Sequence, residues 1–151
     1  DYNLWGAKKI IDHSGKRIAL LGLSYKPDTE VVEESASFVL ALEMIEAGKQ
    51  VLIYDEHVKV LPPELALKAE LTHSVSLCIS HADAIVVAHP GLIFDPNELA
   101  RESEVVVYDC WRKMKNCIWP ANVRYHALGG GGKPSTEKKE TLSFISRAKR
   151  V

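Results

Sequence analysis

Apolar and polar positions follow one another in blocks whose period changes along the chain. Residues 17–23 form a short apolar run with no helical spacing, with Gly22 near its end. Such a run reads as a strand buried on both faces. From Ser35 the period becomes helical, because Phe38, Ala41, Leu42 and Ile45 fall at i, i+3, i+4 and i+7. That spacing predicts a helix with this stripe turned inward. Ser35 supplies an N-cap, and Gly48 supplies the left-handed residue that stops the helix. A second apolar run, Val51-Leu52-Ile53-Tyr54, ends on Asp55. Strand, loop, helix and strand make one βαβ unit, with a loop longer than the join requires. Pro27 keeps Lys26 extended, so the strand cannot pass directly into the helix. Long ordered loops in such units commonly serve binding.

The same alternation continues. Residues 2–13 place Leu4, Ala7 and Ile11 at helical spacing, interrupted by Gly6. Pro62-Pro63 starts a short helix over 64–68, Leu71-Thr72 makes a minimal strand, and 74–80 is helical. Ala84 to Ala88 is a buried strand closed by the turn His89-Pro90-Gly91. A short helix over 96–101, a strand over 104–109 and a last strand over 123–128 complete the pattern. Strands alternating with helices predict an α/β fold: a Rossmann-like, doubly wound parallel sheet of five to six strands in a three-layer α/β/α arrangement. Right-handed crossovers give the order 3-2-1-4-5-6. Gly22, Asp55, His89 and Asp109 then line one edge, and ligands of such sheets bind there, between the first and fourth strands.

Composition narrows the function without choosing it. A chain of 151 residues holds one domain with a real core. Nineteen basic against twenty acidic residues give a formal net charge of −1, and no electrostatic reason for nucleic acid or an anionic membrane as partner. Cys78, Cys110 and Cys117 form neither a CxxC pair nor an even set, so zinc and disulfide frameworks are not indicated and a reducing cytoplasm is expected. There is no apolar segment near membrane-spanning length. Residues 129–132 are four consecutive glycines and read as a flexible joint before a basic tail that ends at Val151.

The chemistry concentrates in a few places. Gly22 does not belong to a G-x-G-x-x-G fingerprint, because Ser24 and Pro27 occupy the other positions. NAD is therefore not expected at this first turn. Asp55 sits where an acidic residue can hold a ribose, yet without the glycines a turn-capping role is favoured. Lys26 leaves the end of the first strand, where its ammonium can meet a phosphate or a developing oxyanion. Tyr25 beside it can stack or hydrogen-bond; both residues can equally be surface loop residues. Glu30, Glu33 and Glu34 suit a helix N-terminus and oppose phosphate binding there. The six histidines lack metal-ligand spacing, and only His89 falls at the expected crevice.

One resemblance organises these observations. The segment Gly22-Leu23-Ser24-Tyr25-Lys26-Pro27-Asp28-Thr29 precedes an acidic stretch, Glu34-Ser35, a helix ending Ala47-Gly48 and a strand ending Tyr54-Asp55. With Ala82-Asp83-Ala84-Ile85-Val86-Val87 and Val105-Val106-Val107-Tyr108-Asp109, this is similar to the C-terminal domain of the UDP-glucose/GDP-mannose dehydrogenase family. The resemblance implies that Tyr25 and Lys26 match an aromatic–lysine pair that contacts the nucleotide sugar. It implies a substrate contact for Arg112 as well. Two positions depart from the family pattern. Glu33 stands where the family usually has an arginine that contacts the dinucleotide. Asp109-Cys110-Trp111-Arg112 replaces Asp-Gly-Arg, so Arg112 comes one place late and Trp111 fills the arginine's place.

The family's enzymes oxidise the C6 hydroxyl of a nucleotide sugar to a uronic acid. An N-terminal domain holds NAD, a central domain supplies the nucleophilic cysteine, and the C-terminal domain closes over the UDP-sugar. The resemblance therefore implies that residues 1–15 are a linking helix, 16–128 the UDP-binding domain and 129–151 a joint and tail. No catalytic residue is expected in this chain, and no cofactor in the chain alone. The implied partners are a UDP-sugar and the preceding domains of a homo-oligomeric parent. Two alternatives stay open: a divergent, non-catalytic binding or interaction module, and a free-standing NAD-binding protein.

Overall fold

The computed structural model describes residues 10–12, 15–23, 36–89 and 91–128. Ten elements follow in order: β1 (Arg17–Leu21), α1 (Ala36–Glu46), β2 (Gln50–Tyr54), α2 (Pro63–Ala66), β3 (Ala69–Thr72), α3 (Val75–Ile79), β4 (Ala84–Val87), a 3-10 turn (Pro96–Leu99), β5 (Val105–Asp109) and β6 (Val123–Ala127). Six strands form one sheet in the order β3-β2-β1-β4-β5-β6. Every pairing is parallel. This is the doubly wound plan that the alternation of periods predicts, with the switch point between β1 and β4.

The central strands β1 and β4 are buried because both of their faces are covered. Ile18 and Leu20 of β1 join one apolar cluster with Leu40, Met44 and Leu65, whereas Ala19 and Leu21 join another with Ile79, Leu99 and Val107. The alternation of side chains along a strand delivers successive residues to opposite layers. Residues 10–12 are helical, and Ile10 is fully buried in the first cluster. The remainder of the expected helix over 2–13 lies outside the described residues, as do Ser35 and the segment 129–151.

The first long helix presents a different stripe from the one that its spacing suggests. The buried residues of α1 are Ser37, Leu40, Ala41 and Met44. Phe38, Leu42 and Ile45 are only partly buried at the edge of the cluster. The sequence ASFVLALEMIE is apolar around most of its circumference, so two adjacent stripes satisfy the same spacing and packing on the sheet selects between them. The end of α1 is as expected. Gly48 adopts φ +87, its N–H donates to Ile45 O at 3.0 Å, and Lys49 N–H donates to Met44 O at 3.0 Å. These two bonds form a Schellman motif. The segment expected as a helix over 96–101 is a 3-10 turn of four residues, opened by Asp95, whose side chain accepts from Asn97 N–H.

Gly22, at the carboxyl end of β1, has φ +103, and a Cβ there would stand 2.5 Å from the Cβ of His89. Both the backbone region and the contact exclude a side chain. Gly22→Ala is therefore expected to destabilise the chain by about 2 kcal/mol or more, against about 1 kcal/mol for Gly48→Ala, which adds a Cβ in open space. Urea unfolding midpoints at constant slope measure the difference. Equal losses for the two variants would refute the close approach at Gly22.

Candidate functional site

At the carboxyl edge, the strand ends are tied to one another by backbone bonds that continue past the ladder. Gly22 N–H donates to Tyr54 O at 2.8 Å, Ala88 N–H to Leu21 O at 2.9 Å and Cys110 N–H to Val87 O at 3.0 Å. Two carboxylates then fix the loops. Asp55, 3% exposed, accepts from Leu23 N–H at 2.8 Å through one oxygen. Its other oxygen accepts from His57 N–H at 2.8 Å and Val58 N–H at 3.0 Å. The carboxylate accepts from three backbone donors, which gives Asp55 the turn-capping role.

Asp109 does the same work three strands away. It is fully buried, and it accepts from Met114 N–H at 2.8 Å and the Tyr125 hydroxyl at 2.7 Å through Oδ2. Its Oδ1 accepts from Trp111 N–H at 3.2 Å. Burial first, then this bond and the Asp109 charge, push the Tyr125 phenol well above its ordinary range, while the Arg112 charge opposes the rise. A fully buried carboxylate with several donors organises the turn 110–114 and locks it to β6.

That turn carries the one candidate binding residue within the described set, Arg112. It is exposed and has φ 58, a left-handed backbone that is costly for a side-chain-bearing residue. Its guanidinium makes no hydrogen bond or ion pair with a described residue. Trp111 precedes it, 43% exposed, and its indole N–H donates to Ala88 O at 3.1 Å. The indole therefore spans from the end of β5 to the end of β4. His89 stands against Gly22 at the switch point, and its Nδ1 accepts from Gly91 N–H at 2.9 Å. The histidine thus shapes its own turn. Tyr25, Lys26, Glu30, Glu33 and Glu34 lie outside the described residues.

The spacing of Asp109 to Trp111 is that of an Asx turn, the one sequence signal that marks the residue as a loop organiser. Its bond to Tyr125, sixteen positions away, has no local signal. Among the described residues no group of three or more His, Cys, Asp or Glu side chains is arranged to hold a metal. Cys78 is buried, and its thiol donates to Leu52 O at 3.3 Å. Burial pushes that thiol from 9.0 up to about 12, which keeps it protonated and unreactive near neutrality.

A model described as "UDP-glucose/GDP-mannose dehydrogenase family, UDP binding domain" matches residues 19–116. The UDP-N-acetyl-D-mannosamine dehydrogenase of Campylobacter jejuni is 36% identical over 57% of this chain and 22% of its own length. The UDP-glucose 6-dehydrogenase of Bacillus subtilis is 31% identical over 77% of this chain and 28% of its own. A ternary complex of GDP-mannose dehydrogenase from Pseudomonas aeruginosa shares the fold at TM-score 0.61 and 19% identity, over 81% of this chain and 30% of that one. The chain thus spans less than a third of the length of each of these relatives.

Two outcomes test the geometry. Asp109→Asn turns one acceptor oxygen into a donor facing donors, at an expected cost of about 2 kcal/mol or more and with faster hydrogen exchange at Met114 and Trp111. A loss below about 0.5 kcal/mol would contradict the organising role. The raised Cys78 thiol predicts alkaline destabilisation. Between 9.0 and about 12 the unfolded chain binds fewer protons at this thiol, so stability is intact below that window and falls as pH rises through it. Tyr108 and Tyr125, raised from 10.0, deepen the decline above pH 10. Urea midpoints from pH 8 to 10.5 are expected to fall less steeply in Cys78→Ala than in the parent sequence.

Proposed function

The chain belongs to the UDP-glucose/GDP-mannose dehydrogenase family, and on that premise we propose that it is the C-terminal nucleotide-sugar-binding domain of an NAD-dependent UDP-sugar 6-dehydrogenase. In this reading the parent enzyme oxidises a UDP-glucose-type substrate to a UDP-uronic acid for polysaccharide synthesis in the cytoplasm. Residues 1–15 link it to preceding domains that hold NAD and the nucleophilic cysteine, and the parent is a homo-oligomer. By itself the chain turns over no substrate. No helix among the described residues is long and apolar enough to cross a membrane.

The observation that carries this reading is how the chain is held at Gly22 and Leu23. Both are pinned to β2 through Tyr54 O and the Asp55 carboxylate, beside the switch point where sheets of this plan bind ligands. In the sequence Tyr25 and Lys26 follow Leu23 by two and three positions. The lysine would meet the sugar's diphosphate as a point charge, and the tyrosine would lie along the sugar or base. Arg112 would add a second cation from the β5 side. None of these groups moves a proton or forms a bond in the reaction; their work is to bind and orient.

Trp111 favours a second reading. Its indole is bonded to Ala88 O across the end of β4, in the place where the family carries an arginine. Together with Glu33 this suits a divergent module that binds or docks without dehydrogenase activity in any context.

Calorimetric titration of the parent enzyme with UDP-glucose, with and without Lys26→Ala, separates the readings. A lost charge-assisted contact of about 1.5–3 kcal/mol predicts affinity weaker by roughly tenfold or more. Unchanged affinity and turnover would remove Lys26 from the site. The 151-residue chain is expected to reduce no NAD with UDP-glucose, as read at 340 nm, and reduction would overturn its inertness.

A further inference from the structure

The opposite edge of the sheet holds a concave surface. The β3–β4 crossover supplies only the five residues of α3 to the second face, about 7.5 Å of helix at 1.5 Å per residue. Each strand of five residues is about twice that length. The amino-terminal halves of β2 and β3 are consequently left bare on that face, although strands of a parallel sheet are normally covered on both. The result is a groove of about 350 Å³, inside the size range of small-molecule sites.

Its floor is apolar and its rim is cationic. Leu52 and Cys78 line the floor, and Leu77, 65% exposed, forms a wall. Arg17, Lys49 and Lys68 also line the groove, against a single lining carboxylate, Glu70. Two of these cations are partly engaged within the chain and one ammonium is open. The Lys68 ammonium makes no hydrogen bond or ion pair with a described residue. Lys49 donates to Gly15 O, which leaves two of its three N–H groups. The Arg17 guanidinium approaches Asp83 only to 3.9 Å, while Asp83 Oδ2 is engaged by the backbone N–H groups of Lys16 and Arg17. Positive charge at a low-dielectric concave wall attracts an anion, and the exposed leucine wall rewards an apolar body.

We propose that this groove is a second ligand site, separate from the carboxyl edge, which takes a small organic anion. The ligand carries one carboxylate, sulfonate or phosphate on an apolar body about the size of one or two rings. It is held without a covalent bond, because the Cys78 thiol below it is buried and donates to Leu52 O.

The probe is 1-anilinonaphthalene-8-sulfonate, which has both features. Titrated into the 151-residue chain, it is expected to give a saturable rise in fluorescence and to shift the amide resonances of Leu52, Ala69 and Leu77. Lys68→Glu and Leu77→Asp are each expected to weaken binding at least tenfold. Ile118→Asp, which removes an apolar side chain 91% exposed elsewhere, is expected to leave it unchanged. Saturating UDP is expected to leave the dye in place. Parent-like binding by both groove variants, loss of binding in Ile118→Asp, or displacement by UDP would each overturn the second site. Amide mapping of the unsubstituted chain does not depend on any variant folding, and shifts confined to residues outside the groove would also overturn it.

Discussion

Buried carboxylates at strand ends hold this molecule's working edge together. In a parallel sheet every strand finishes on the same side, so the first N–H groups of every outgoing loop need partners away from the ladder. Asp55 and Asp109 supply them: Asp55 accepts from backbone N–H groups of two segments, and Asp109 from two N–H groups of one turn and the Tyr125 hydroxyl of β6. A carboxylate buried without donors would cost several kcal/mol, so burial of these groups is tolerated only because the loops fold around them. The dependence is mutual. Loop geometry exists because the carboxylate is satisfied, and the carboxylate can be buried because the loop is formed. Asp83 does the equivalent at the amino-terminal edge, where it holds the N–H groups of Lys16 and Arg17.

This arrangement decides what the edge offers a ligand. The strand ends and their first loop residues form a fixed frame, tight enough at Gly22 and His89 to exclude a methyl group. From that frame departs the turn containing Trp111 and Arg112. Fixed frame and variable loop is the usual division of labour in such folds.

The two faces of the sheet are covered unequally, which gives the molecule its groove. Eleven residues of α1, with α2 and Ile10, close the first face. Short segments close the second, aided by an aromatic group in which Trp119 stacks on Tyr125 and meets Phe94 edge-on. That aromatic packing seals the β5–β6 side and leaves the β2–β3 side to α3 alone. The bare patch follows from crossover length, not from strand composition.

The sequence by itself determined the strands, their order and the stop at Gly48. Apolar runs and left-handed glycines are local features, and winding rules convert their succession into one topology. It also marked the carboxyl edge, and it gave Asp55 its turn-capping role through the missing glycines. Tertiary structure alone decided which stripe of α1 is buried, because that helix is apolar on two adjacent faces and only the sheet breaks the tie. It alone joined His89 to Gly22 and Tyr125 to Asp109. Such contacts join residues far apart in the chain, and their energy depends on distances that no local pattern encodes.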